Sequence, residues 1–252
     1  MRILCTKQKT AEWLQCRVGK ITASRADAVL NYLKQTKAEQ EAGIRREGAD
    51  RRNYRMELIA ERLTLIPADH YVSKPMEFGA EYEDDARRAY ELHAEVMVDQ
   101  TGFVGHPRIH YAGSSPDGLV GDDGGLELKV PQTTTHLGYL FANEVPAEYK
   151  PQMFFNMACC ERDWWDFASY DPRLPRQLRL FVRRLHWDED AIDALEAEVM
   201  KFDAEIQATI KRLTEIAGDF KLPEFEQPEP QSSEGMITDE EIAAAIERDK
   251  TA

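Results

Sequence analysis

Residues 115–131 read Ser115-Pro116-Asp117-Gly118-Leu119-Val120-Gly121-Asp122-Asp123-Gly124-Gly125-Leu126-Glu127-Leu128-Lys129-Val130-Pro131. Asp122-Asp123-Gly124-Gly125 has the composition of a hairpin turn, where residues that tolerate positive φ are required. The segment leaving it alternates strictly: Leu126, Leu128 and Val130 share one face of a strand, Glu127 and Lys129 the other. A hairpin closed here brings Asp117 and Glu127, ten residues apart, side by side. Phosphodiester hydrolysis needs a hard cation held by oxygens, and Mg²⁺ takes one or two carboxylates while keeping several waters. Asp117 and Glu127 supply carboxylates, and the Leu128 carbonyl can add a third oxygen. Lys129 can orient a water nucleophile or stabilise charge developing on phosphorus. The same residues also fit a plain hairpin with a solvated Glu–Lys pair and a turn aspartate, and the spacing alone does not choose.

Upstream, Thr10 is placed to cap a short helix through Trp13 and Leu14 that ends near Gly19. A second helix follows, capped by Thr22 or Ser24, with Ser24 and Asp27 as a variant capping box. Arg17, Thr22 and Ser24 then gather a guanidinium, hydroxyls and free backbone N–H groups, which is the makeup of a phosphate pocket. An ordinary N-cap beside a surface arginine has the same sequence. Helices are expected over 53–65 and 76–94, the second with Phe78, Tyr82, Ala86, Ala89 and Tyr90 at helical spacing. It carries Glu83, which is either a further carboxylate for the metal region or a solvated surface charge. The glycine-punctuated stretch from Val96 to Val130 reads as short strands and turns.

Downstream, 147–160 fits a helix bearing Gln152, and strands are expected near Trp164–Tyr170 and Leu178–His186. Asp188 can cap a long helix with a stripe of Ile192, Leu195, Val199, Phe202, Ile206, Ile210 and Leu213. Beyond Lys221 the run LPEFEQPEPQSSEG is an acidic, proline-rich linker, with a short helix expected over Thr238–Glu247. One domain over 1–221 and an acidic tail over 222–252 follow.

The chain of 252 residues carries a net charge of −14, which at first argues against a nucleic-acid partner. Residues 222–252 hold nine acids against Arg248 and Lys250, so half the excess lies in the tail. Residues 45–62 collect Arg45, Arg46, Arg51, Arg52, Arg55 and Arg62, so an acidic average leaves room for a basic groove. No apolar run is long enough for a membrane span, and Cys5, Cys16, Cys159 and Cys160 lack metal or disulfide spacing. Reduced thiols and a cytoplasmic location are the expectation.

Taken together, Trp13 to Ser24 (WLQCRVGKITAS), Phe78 to Arg87 (FGAEYEDDAR) and Ser115 to Pro131 resemble the lambda exonuclease family. This group includes the phage-type alkaline exonucleases and YqaJ-like viral recombinases, within the PD-(D/E)xK nuclease superfamily. Gln152 before an apolar helix and Tyr170-Asp171-Pro172 extend the likeness over roughly residues 10–215. The resemblance implies an α/β, restriction-endonuclease-like core, a central mixed β-sheet flanked by helices. It implies a Mg²⁺-dependent 5′→3′ exonuclease, with Mn²⁺ a substitute, that degrades the 5′-ended strand of linear double-stranded DNA to mononucleotides. Asp117, Glu127 and the Leu128 carbonyl would hold Mg²⁺, and Glu83 a second metal or its water. Lys129 and Gln152 would act on the nucleophile. Arg17, Thr22, Ser24 and Ser115 would bind the 5′-phosphate, and Met76 would be a wedge that splits the last base pairs. The resemblance also implies a ring-shaped homotrimer and a single-strand annealing protein as partner.

Two departures stand out. The family's further phosphate-contacting arginine after the catalytic lysine has no match, because Pro131 is followed by Gln132, Thr133, Thr134, Thr135 and His136. A threonine, His136 or another loop is left to substitute. An acid upstream of the SPDG turn is also replaced, near Pro107. An endonuclease or repair nuclease of the same superfamily, and a non-catalytic DNA-binding scaffold, are the competing readings.

Overall fold

The computed structural model describes residues 1–68, 74–218 and 223, with the backbone alone for 74–76. Two four-stranded mixed sheets form its centre. The first contains β1 (Arg2–Cys5), β2 (Ile21–Thr22), β3 (Phe103–Gly105) and β4 (Ala112–Ser114), in the order β1-β3-β4-β2. The second runs β5-β6-β7-β8, from β5 (Gly118–Val120), β6 (Gly124–Lys129), β7 (Trp164–Tyr170) and β8 (Leu180–His186). Strand β6 pairs antiparallel with β5 and parallel with β7, so it lies inside its sheet. Leu126, Glu127 and Leu128 are all buried, and the alternation divides two covered faces rather than core from solvent.

Helices enclose the sheets: α1 (Ala11–Arg17), α2 (Ala26–Val29), α3 (Lys37–Glu41), α4 (Ala49–Thr64), α5 (Lys74–Ala94), α6 (Thr133–Ala142), α7 (Lys150–Cys160) and α8 (Glu189–Ala217). Asp188 caps α8 by accepting the Ala191 N–H. The stripe from Ile192 to Ile210 is buried, while Leu213 at its end is exposed. Each side chain of that stripe contributes about 1.5–3 kcal/mol relative to exposure. Its neighbour α4 meets it through charge: Arg51 bonds Glu205 at 2.7 Å and Arg62 pairs with Asp203 at 2.7 Å, while Arg45, in the loop before α4, pairs with Glu198. Of the arginines that suggested a basic groove, Arg51, Arg55 and Arg62 join α4 to α8, Arg45 reaches α8 from the preceding loop, and Arg46 pairs with Glu39.

Three local expectations change. Ile21–Thr22 is a strand followed by a single 3₁₀ turn, and α2 begins only at Ala26, so neither Thr22 nor Ser24 caps a helix through its side chain. β1 and α6 carry no strong periodicity and are set by their packing, whereas α3 buries no side chain and is fixed locally by a capping box between Thr36 and Glu39. Gly124 and Gly125 belong to β6 rather than to the turn, which is Gly121-Asp122-Asp123 with Gly121 at φ 56°. The two glycines face Trp164 and Trp165 of β7, and a Cβ would lie 2.0 and 2.2 Å from those rings. Gly125→Val is accordingly expected to destabilise the fold by about 1–3 kcal/mol or more, read as a fall in the urea midpoint. An unchanged midpoint would show that the tryptophan yields. The Thr238–Glu247 helix lies outside the described residues, as does the tail apart from Pro223. No described helix is long and apolar enough to cross a membrane.

Candidate active site

Asp117 stands one residue before β5, and its Oδ2 accepts the Leu128 N–H at 2.7 Å. The hairpin thus sets it beside Glu127, as the ten-residue spacing requires. Glu127 is almost fully buried, and its oxygens accept four hydrogen bonds. Gln152 Nε2 donates to both at 2.7 Å, Asn156 Nδ2 donates to Oε2 at 3.2 Å, and Lys129 Nζ donates to Oε1. Gln152 and Asn156 are one turn apart on α7, which places both amides over the strand. The Asn156 amide is itself oriented from the other sheet, because its Oδ1 accepts the Ser114 hydroxyl at 2.7 Å. A buried carboxylate held this way has its orientation fixed before any ligand arrives.

The electrostatics follow from crowding. Burial, with the neighbouring charge of Glu127, pushes Asp117 up to about 7, against the opposing pull of Lys129 and the Leu128 N–H. Burial acts to lower the Lys129 ammonium, but Glu127 and Asp117 outweigh it and the net shift is upward. Lys129 is therefore a fixed cation, suited to stabilising charge rather than to accepting a proton. Its Nζ lies 5.2 Å from the centre of the Tyr149 ring.

A cavity of about 310 Å³ opens on this group, lined by Gly79, Glu83, Asp117, Leu128, Lys129 and Tyr149 among others. A smaller one of about 140 Å³ adjoins it at Glu83 and Asp117 and reaches Lys7 to Lys9. Glu83 is thus brought to the site by α5, but its Oε2 lies 2.7 Å from Lys9 Nζ. Among the described residues no three Asp, Glu, His or Cys side chains converge as a ready-made metal cage. What fits a cation is the Asp117–Glu127 pair, two crowded carboxylates whose repulsion a bound divalent ion would relieve.

The second constellation lies next to the first. Ser115 Oγ receives Arg17 Nη1 at 2.9 Å and Trp13 Nε1 at 2.8 Å, with the Arg17 guanidinium 4.5 Å from the Trp13 ring centre. Thr22 and Ser24 share a hydroxyl contact of 3.3 Å. Parallel pairing of Thr22 with Gly113 carries Ser24 and Ser115 beyond the same end of β2 and β4. The loop is clamped from behind by α4: Glu61 accepts the Gly19 N–H at 2.7 Å, and Arg62 donates to the Gly19 carbonyl at 2.8 Å. Gly19 has φ 67°, which the clamp holds.

His136 does not supply a phosphate contact. It is buried, with its nitrogens bonded to the Ser169 hydroxyl and the Leu178 carbonyl. Near Pro107, His106 and Arg108 are both held by Glu196, a structural network. Met76 stands on α5, and its side chain lies outside the described residues. Sequence reasoning missed Asn156, Ser114, Tyr149, Lys9 and Gln8. Asn156 was detectable as the residue four after Gln152. Gln8, which holds the Pro116 and Thr101 carbonyls at 2.7 and 3.0 Å, gave no signal.

A family model described as the YqaJ-like viral recombinase domain matches residues 12–163. The crystal structure of an alkaline exonuclease, LHK-Exo from Laribacter hongkongensis, is 39% identical with a TM-score of 0.72, covering 82% of this chain and 98% of its own. LHK-Exo in complex with dAMP has the same identity and coverage, with a TM-score of 0.73. A phage-related exonuclease from Haemophilus somnus 129PT is 15% identical and shares the fold at a TM-score of 0.61, over 77% of this chain and 96% of its own. No match is found among the curated proteins. The motifs, the carboxylate hairpin and these likenesses agree: the chain belongs to the YqaJ-like viral recombinase domain family, that of the lambda-type exonucleases.

Proposed function

We propose that the protein is a Mg²⁺-dependent exonuclease that removes mononucleotides from the 5′-ended strand of linear double-stranded DNA. The observation that carries the reading is the short path from Ser115 to Asp117. Two residues span at most about 7 Å of chain, so a terminal phosphate held at Arg17 and Ser115 leaves the first phosphodiester within reach of the carboxylates. Thr22 and Ser24 extend that pocket with hydroxyls. Mg²⁺ bound by Asp117, Glu127 and the Leu128 carbonyl would lower the pKa of its water and screen the scissile phosphate. Gln152 fixes the Glu127 carboxylate and is placed to orient a water beside it. Lys129 supplies positive charge where the phosphorane develops. Glu83 is a ligand or water-holder once Lys9 releases it.

Mn²⁺ as a substitute metal, a ring-shaped homotrimer, a single-strand annealing partner, a Met76 wedge and a cytoplasmic location belong to the same reading. It is supported by the family and by the dAMP complex of LHK-Exo. The domain would span 1–221, with 222–252 an appended acidic tail.

The test is digestion of linear duplex with 5′-phosphates, the same duplex dephosphorylated, and covalently closed circles, with Mg²⁺ present. Linear DNA alone should be cut, faster with the phosphate, and Arg17→Ala should erase the difference between the two ends. Cleavage of the circle would instead make the protein an endonuclease of this fold.

A further inference from the structure

We propose that Arg173, Arg176 and Arg179 form a phosphate-binding rail at the mouth of the active-site cavity, holding the backbone of the DNA beyond the cleavage point. This rests on the nuclease reading above. Residues 172–186 hold five arginines and no acid, in a chain whose net charge is −14. The two on β8 are engaged: Arg184 forms paired bonds with Asp166 at 2.8 and 2.9 Å, and Arg183 bonds Asn143. Of the three in the β7–β8 connection, only Arg173 is paired with an acid among the described residues, Asp171 at 2.7 Å.

That connection is fastened onto the cavity rim. Asp171 Oδ1 accepts the Arg173 backbone N–H at 3.0 Å and its Nε at 2.7 Å. Arg173 Nη2 donates to the Pro131 carbonyl at 2.8 Å, and the guanidinium lies 4.6 Å from the Phe78 ring centre. Pro131 and Gly79, the neighbour of Phe78, both line the cavity that contains Asp117 and Lys129. Arg173 thus bridges the end of β6 and the start of α5, yet remains 44% exposed. Arg176 is exposed in a 3₁₀ turn and has no ion pair among the described residues. Arg179 donates Nε to the Leu174 carbonyl at 2.8 Å and likewise has no acid partner among them.

The site behind this rim is acidic, with Asp117, Glu127 and Glu83. Its own cations are committed, Lys129 to Glu127 and Lys9 to Glu83. A polyanion entering there needs positive charge at the mouth, and planar guanidiniums match phosphate oxygens in pairs. Contacts of this kind position a strand without reading its sequence.

The test is binding of a fluorescent 5′-phosphorylated duplex, with Ca²⁺ replacing Mg²⁺, across a series of KCl concentrations. Arg176→Gln removes no hydrogen bond or ion pair among the described residues. It should weaken binding, flatten the plot of log affinity against log salt by about 0.9 per lost phosphate contact, and raise KM with kcat retained. Arg173→Gln should do the same, and Arg173→Lys, which keeps the charge, should restore the slope. Wild-type slope and KM in both glutamine variants of a protein that digests DNA would overturn the rail alone. A wild type that neither binds nor cuts the duplex would overturn the nuclease reading with it.

Discussion

Lys129→Ala is expected to slow digestion of linear duplex DNA by about 10²–10³-fold or more, the usual cost of removing one preorganised electrostatic group from a transition state. The ammonium is already in place, bonded to Glu127 and raised by Glu127 and Asp117, so its charge costs no reorganisation during reaction. Removing it also leaves Glu127 buried without its cation, and a buried charge that loses its partner destabilises. Gln152 and Asn156 continue to hold that carboxylate, so the variant should still fold. Single-turnover rates, with melting temperature recorded in parallel, separate the two effects. A folded variant that keeps its rate within tenfold of wild type would remove Lys129 from the chemistry.

The second large effect is expected at Asp117, where function and stability should move in opposite directions. In the metal-free protein its pKa is raised from 3.8 to about 7 by burial and by Glu127. A carboxyl that holds its proton more tightly in the folded state makes stability fall as pH rises from about 4 through 7. Asp117→Asn keeps an acceptor for the Leu128 N–H while removing the charge. It should melt above the wild type at pH 8 without metal, match it near pH 4, and digest DNA at background rate. Adding Mg²⁺ should raise the wild-type melting temperature more at pH 8 than at pH 5.5, because protonation competes with the ion, and should leave the variant unmoved. Equal Mg²⁺ shifts in both proteins would place the ion elsewhere.

Much of this site was legible because its determinants are local. Asp117, Glu127 and Lys129 are joined by one turn and one strand, so their proximity follows from period-2 geometry and a ten-residue hairpin. Thr10 and Asp188 cap helices as their positions demand. Where the reading failed, it took local signals at face value. The glycines of Asp122-Asp123-Gly124-Gly125 answer to the tryptophans of β7, forty residues on, and not to the turn. Thr22 and Ser24 have the composition of a cap but belong to a strand and the turn after it, because Ile21–Thr22 finds β4 to pair with.

The sequence by itself determined the chemistry-bearing hairpin, the amphipathic α8 and the family motifs, since each is written in residue spacing along one element. Tertiary structure alone decided which charges are spent and which are available. Arg51 and Arg62 are consumed by α8, and Glu83 is paired with Lys9. Glu127 is oriented by α7, and the β7–β8 loop is anchored to the cavity rim through Arg173. The reason is physical: a charge's partner is fixed by the parallel crossover from β6 to β7 and by helix packing, which join residues far apart in the chain and leave no period in the sequence.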